Sequence, residues 1–330
     1  MTTHKRQHFV PQSYLSAWRD PSTPAGQEPY VWRFNKDGSG PRRKAPGNIF
    51  YETDLYTIHR ADGGRDLVLE HGLAGLESEF VSIRDNKLYK REKLTAREHV
   101  MLCAFIAAAQ ARTPTQRDHN CGQWAEVLDM MERMMERAKT ATPEQKRAVG
   151  SGARGAGPSL AYEDVKRLVE KPMETMLIPQ IATATPLLAG LDVVVLNCET
   201  EPGFITSDNP CVWFDPEAYK RPPFYEAPGL IYESIEISLP VSPRQVIVLN
   251  RRGHSGHRDV PEWKVDAFNR RTRFQCAEYF VSSSNATKPI WFDPGVEPED
   301  SWRKRNLERG PSRGPFDPPP PIERSGESRG

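Results

Sequence analysis

Cysteine is scarce in this 330-residue chain: five residues, Cys103, Cys121, Cys198, Cys211 and Cys276, odd in number and without a Cys-x-x-Cys pair. That pattern excludes a disulfide scaffold, argues against a structural zinc site and reads as free thiols in a reducing compartment. An excess of charge of either sign is also lacking, with 45 basic and 44 acidic side chains and a net charge of +1. The chain therefore has no global pull toward nucleic acid or an anionic membrane, although a local basic cleft stays compatible with the balance. Long apolar runs are missing as well. The longest apolar helical stretch, Val100 to Ala111, falls short of the roughly 20 residues that span a bilayer, and the polar start from Met1 to His8 has no apolar region behind it as a secretory leader would. These absences predict a cytoplasmic protein with no membrane partner. No Walker loop and no His-Glu-x-x-His is present.

What is there reads as an α+β chain. Pro11 can open a short helix through Tyr14, Leu15 and Trp18. Tyr30 to Phe34 alternates like a strand, Lys36 to Gly40 is a turn, and the stretch from Pro46 to Ile58 is extended, so a small N-terminal β element is expected. Leu69, Leu73, Leu76, Phe80 and Ile83 recur at helical spacing over Asp66 to Lys87. Thr95 and Glu98 make a capping box for a helix running to about Arg112, which Thr113-Pro114 should kink or end. Amphipathic helices are expected over Arg117 to Lys139 and over Tyr162 to Thr183, the second interrupted at Pro172 and Pro179. Strands follow at Asp192–Asn197, Gly203–Ser207, Ser234–Pro240 and Gln245–Asn250, then a helix over Glu262–Gln275 and a strand from Tyr279. The whole predicts one domain over residues 1–293: a small N-terminal β element, a central helical bundle and a C-terminal, mostly antiparallel sheet. A flexible insertion rich in Ala, Gly and Ser is expected near 140–159, and a disordered tail rich in Pro, Arg and Gly over 294–330.

Several short motifs stand out in fixed order. The run Gln7-His8-Phe9-Val10-Pro11-Gln12-Ser13-Tyr14-Leu15 resembles the opening signature of the domain-of-unknown-function family numbered 4238. Pro46, Asn48, Ile49, Glu52 and Tyr56 are similar to its second region, and Gln110, Arg112, Thr113, Pro114 and Arg117 to its third. Thr206-Ser207-Asp208-Asn209-Pro210 matches its Ser-Asp-Asn-Pro segment, Leu239 to Pro243 its strand exit, and Asn269 an asparagine of its last helix. The resemblance runs from about Gln7 to Ser283. It implies a shared fold and a set of candidate residues, but no reaction.

Each candidate has a chemical and a structural reading. His8 and Gln12, four apart, would share a helix face. An imidazole can serve as base, acid or metal ligand and an amide can orient a substrate; alternatively the pair caps and packs locally. Glu70 and Glu77, seven apart, lie nearly in register on a helix and could bind Mg²⁺ or Mn²⁺ through oxygen, or form an ordinary solvated face. Arg112 and Arg117 bracket Pro114 and could hold a phosphodiester or nucleotide with guanidinium forks, or clamp carbonyls and carboxylates at the helix end. Asp208 could be a base or metal ligand with Ser207 and Asn209 donating hydrogen bonds, or the segment could be an Asx turn. Ser207 is not in a Gly-x-Ser-x-Gly elbow, which weakens it as a nucleophile. His254 and His257 sit in a basic polar turn, read as solvated rather than metal-binding.

Two functional expectations follow. One is a metal-dependent hydrolase of phosphodiesters, a nuclease such as a toxin or phage-defence effector uses, with His8, Gln12, Ser207, Asp208 and Asn209 at the chemistry, Arg112 and Arg117 on substrate, and Glu70 and Glu77 on metal. The other is a non-enzymatic module that binds a nucleotide, nucleic acid or protein partner. Convergence of His8, Arg112 and Asp208 on an open pocket would favour the first. Burial and mutual bonding would make the motifs structural.

Overall fold

The computed structural model describes residues 6–309 apart from 61, 146, 148–159 and 297. A five-stranded sheet forms the centre. Its order is β12 (Gly256–Asp259), β7 (Asp192–Asn197), β11 (Gln245–Asn250), β10 (Glu236–Ser242), β9 (Val212–Phe214), antiparallel except for the β12–β7 pair. Period-two alternation gives this sheet two apolar faces. Val195, Ile237, Leu239, Ile247 and Leu249 join the main core on one side. Val194, Leu196, Val246 and Val248 face the other way and are covered by Val265 and Phe268 of the helix Glu262–Gln275.

The main core is closed by helices. α1 (Gln12–Leu15) continues as a 3₁₀ turn to Trp18. α2 spans Val68–Ile83, and its apolar stripe buries Leu69, Leu73, Phe80 and Ile83. α3 (Ala96–Ala111) begins with the capping box in which Thr95 and Glu98 satisfy each other's backbone N–H groups. It is apolar nearly all round because it lies in the interior, against α2 on one side and a helix over Pro172–Ala189 on the other. Phe80 of α2 stacks on Phe105 of α3, ring centroids 3.8 Å apart. α4 (Pro114–Thr140) starts at once after α3: Thr113 caps it and Pro114 occupies its first position, where no N–H is needed, so the Thr-Pro step ends one helix by beginning the next.

Further along, α5 (Tyr162–Glu170) and α6 (Pro172–Ala189) are separate helices. Pro172 divides them as expected, but Pro179 does not interrupt α6. Pro179 is exposed, and α6 runs on through it and through Pro186. A second sheet, in the order β3 (Arg42–Lys44), β2 (Val31–Asn35), β13 (Tyr279–Ser282), β8 (Thr206–Ser207), is antiparallel and packs Phe34, Ile205 and Phe280 with Trp291. α7 (Glu262–Gln275) keeps its expected bounds. The mixed α+β architecture thus holds. Most of the expected insertion near 140–159 lies outside the described residues. The expected disordered tail is corrected over part of its length: α8 (Trp302–Arg309) is helical, and Arg303 and Arg305 bond Glu226 and the Lys220 carbonyl. Residues 310–330 lie outside the described set. No helix among the described residues is long and apolar enough to cross a membrane. All five cysteines are free, and burial pushes each thiol up, away from reactivity.

Candidate functional site

The opening signature divides into anchors and a polar face. Val10, Tyr14, Leu15 and Trp18 are buried. The Tyr14 hydroxyl donates to the Pro240 carbonyl of β10 and lies 2.8 Å from Thr206 Oγ1 of β8, so the signature is tied to both large sheets, and the Trp18 indole N–H donates to the Phe204 carbonyl at 2.8 Å. Ahead of these anchors, β1 (Arg6–His8) pairs antiparallel with β4 (Tyr51–Thr53). Alternation in β1 turns Gln7 inward, where its amide donates to Thr57 Oγ1 at 3.1 Å and accepts from the Tyr56 N–H, while Arg6 and His8 point to the other side. His8 and Gln12 therefore do not share a helix. His8 ends a strand, the Phe9 N–H bonds the Phe50 carbonyl, and Gln12 opens α1 after Pro11. The turn nevertheless returns both side chains to one cavity.

That cavity has a volume of about 390 Å³. The N-terminal segment supplies Arg6, His8, Gln12 and Ser13; α2 supplies Glu70, Leu73, Ala74 and Glu77, one helical stripe at three- and four-residue steps. His8 Nε2 lies 3.3 Å from the Gly47 carbonyl. A carbonyl only accepts, so Nε2 carries the proton and Nδ1 keeps its lone pair. Burial is the main cause that pulls the imidazole below its ordinary value of 6.5, with Arg112 and Arg6 adding to it. The Gly47 bond and the Glu77 charge oppose this pull. His8 is thus a neutral base near pH 7. Gln12 is exposed, and its amide rests against Gly47, where an added Cβ would come within 3.2 Å of Nε2. The amide makes no hydrogen bond among the described residues, which leaves it available to a ligand. Ser13 Oγ is buried and unpartnered.

Glu77 leads inward. Its Oε1 accepts from Arg112 Nη1 at 2.7 Å, and Arg112, at the C-terminus of α3, is 1% exposed. Arg112 Nε and Nη2 make no hydrogen bond, so Glu77 is the one carboxylate paired with this buried charge among the described residues. Arg112 is therefore not placed to meet a substrate; it fixes Glu77. This weakens the expected metal site. One of the two carboxylates is committed to a cation, and no group of three or more His, Cys, Asp or Glu among the described residues is arranged to hold a metal ion. The donor set does not fit Mg²⁺ or Mn²⁺.

The remaining candidates lie elsewhere. Arg117 Nη1 bonds Glu52 at 2.5 Å and its Nε bonds Asp118 at 2.9 Å, so it clamps α4 to β4. Asp208 is buried, and its carboxylate accepts the backbone N–H groups of Ala277, Glu278 and Tyr279 at 2.7–2.8 Å. Burial pushes this carboxyl up, against the three N–H donors that pull it down. Ser207 is fully buried and accepts the Asn209 N–H; the Asn209 amide donates to the Gln275 carbonyl. The Ser-Asp-Asn-Pro corner is a serine turn, closed by Ser207 Oγ on the Asn209 N–H, and its Asp208 receives the chain entering β13; these bonds to backbone favour the structural reading of Ser207, Asp208 and Asn209 over the roles of base and donor expected for them. Similarly, Asn269 bonds the Ile205 N–H and the Gly203 carbonyl. His257 lies in β12 rather than in a solvated turn.

Sequence reasoning passed over Arg6, whose position two before His8 on a strand would have revealed it, and Gly47, which no local signal marks. A larger cavity, of about 900 Å³, is lined by Trp32, Tyr89 and Gln245 and by Ser242 and Pro243 of the strand-exit motif, but by none of the residues proposed for chemistry or substrate binding. A model of the family described as "Protein of unknown function (DUF4238)" matches residues 6–286. No curated protein and no solved structure matches the chain.

Proposed function

Because the chain belongs to that family, whose description names no chemistry, we propose from the site alone that it hydrolyses phosphodiesters without a bound metal, acting on a nucleotide or nucleic acid at the cavity between β1 and α2. The observation that carries this reading is His8: a neutral imidazole whose Nε2 proton is committed to Gly47, beside an uncommitted amide and an arginine. Nδ1 takes a proton from the attacking water as the new P–O bond forms. The leaving oxygen departs on the far side of phosphorus and takes its proton from solvent. Arg6 at the rim offsets the phosphate charge, and the Gln12 amide orients a phosphoryl oxygen. Glu77, held by Arg112, lies where its charge favours the imidazolium that forms. A toxin or phage-defence effector is the biological setting such an activity would suit.

The test is to incubate the purified protein with RNA, DNA and dinucleotides, with and without EDTA. Cleavage that persists in EDTA and falls about 10²–10⁴-fold in His8→Ala supports the proposal. Equal cleavage by wild type and His8→Ala would overturn it. Saturable binding of an intact oligonucleotide, without turnover, would make the protein a binding module instead.

A further inference from the structure

A second cavity, of about 380 Å³, lies at the β4 side of the β1–β4 ribbon, and lining residues of the two cavities touch there. Arg6 of the first cavity donates to Asn48 Oδ1 of the second at 3.3 Å, and the His8 ring packs edge-on against Tyr51, centroids 5.6 Å apart.

Arg33, from β2, lines the second cavity. Its guanidinium lies over the Tyr279 ring, with Cζ 3.9 Å from the centroid. Two other arginines are stacked as closely: Arg271 on Phe214 at 3.7 Å and Arg221 on Tyr232 at 3.8 Å. Each of those also pairs with a carboxylate, Arg271 with Glu236 and Arg221 with Asp215. Arg33 has no salt bridge and no hydrogen bond among the described residues, and its Nε is buried and unpartnered. A guanidinium held against an aromatic ring has already given up much of its rotational freedom. The fork it presents matches an oxyanion.

Most of the acidic groups around this cavity are committed. Glu52 bonds Arg117, and Asp208 is turned to backbone N–H groups. Glu278 is the exception: it is exposed and has no cationic partner among the described residues. Thr115, at the start of α4, adds a hydroxyl to the same wall.

We propose that this cavity is a phosphate subsite anchored by Arg33, and that it takes the phosphate of the nucleotide next to the one processed at His8. The identity of the occupant rests on the phosphodiester reading above; the capture of an oxyanion by Arg33 does not.

The experiment is calorimetric titration of inorganic phosphate into wild type, Arg33→Leu, Arg33→Lys, Glu278→Gln and Arg6→Leu, each checked for an unaltered thermal transition, together with oligonucleotide cleavage by the same proteins. The expected result is a binding event weakened about tenfold or more by Arg33→Leu, less by Arg33→Lys, tightened by Glu278→Gln and retained in Arg6→Leu. Absence of phosphate binding in wild type, or equal binding by a folded Arg33→Leu protein, would overturn the subsite. Phosphate binding that depends on Arg33 in a protein that cleaves no phosphodiester keeps the subsite and removes the His8 reading. Cleavage that depends on His8 while phosphate binding ignores Arg33 does the reverse. If both hold, Arg33→Leu also raises KM for an oligonucleotide with little change in kcat.

Discussion

The cavity at His8 and the corner at Asp208 are both built from signature residues, yet they treat their polar groups in opposite ways. At the corner, every named side chain is bonded to backbone: Asp208 to three N–H groups, Ser207 to the Asn209 N–H, Asn209 to the Gln275 carbonyl. At the cavity, His8 uses one ring nitrogen on Gly47 and keeps the other, and the Gln12 amide makes no bond within the described residues. A polar residue inside a signature is evidence of chemistry only where hydrogen-bonding capacity is left over. Where that capacity is used up on the chain itself, the residue is part of the fold.

This contrast can be broken by substitution, and the largest effect is expected at the cavity. His8→Ala should cost about 10²–10⁴-fold in cleavage rate and leave the denaturation midpoint nearly unchanged. Next comes Asp208→Ala, which removes the acceptor of three backbone N–H groups and should destabilise the fold by about 3 kcal/mol, read by urea unfolding; the protein that remains folded should keep its kcat at saturating substrate. Gln12→Ala removes one neutral hydrogen bond to substrate, so a loss of about three- to tenfold in kcat/KM is expected from steady-state kinetics.

The pH dependence sharpens the same contrast. Burial lowers the His8 pKa in the folded state relative to the ordinary 6.5. The unfolded chain therefore binds more protons at this group as pH falls through 6.5, and the stability it contributes is complete above that value and lost below it. The acid limb of the rate profile should lie below pH 6.5 for the same reason, and a limb at or above 6.5 would contradict a neutral buried base. The smallest effect is expected at Arg117, which is partly exposed: Arg117→Ala should lower stability by no more than about 1 kcal/mol and leave kcat unchanged.

How much of this was legible in the sequence depends on the range of the interactions. α2, α3 with its capping box, β7, β11 and α7 follow from periodicity and local side-chain chemistry, which neighbours in sequence determine. The β1–β4 ribbon does not. Its strands are three residues long, lie far apart in sequence and carry no hairpin turn, so nothing local says that His8 will end a strand rather than ride a helix. The stripe of Glu70 and Glu77 is legible from helical spacing, but the arginine that occupies Glu77 comes from another helix. Asp208 shows the limit most clearly. Its turn-forming chemistry is visible in Ser-Asp-Asn-Pro, whereas the donors that claim its carboxylate, at Ala277 to Tyr279, belong to a segment that only the folded sheet brings near.

The most direct measurement is a paired one on His8→Ala and Asp208→Ala: specific cleavage activity in EDTA beside the urea midpoint of each protein. The prediction is a double dissociation, with His8→Ala inactive and stable, and Asp208→Ala active per folded molecule and destabilised. A stable, inactive Asp208→Ala protein, or a fully active His8→Ala protein, would contradict the assignment of chemistry to one region and architecture to the other.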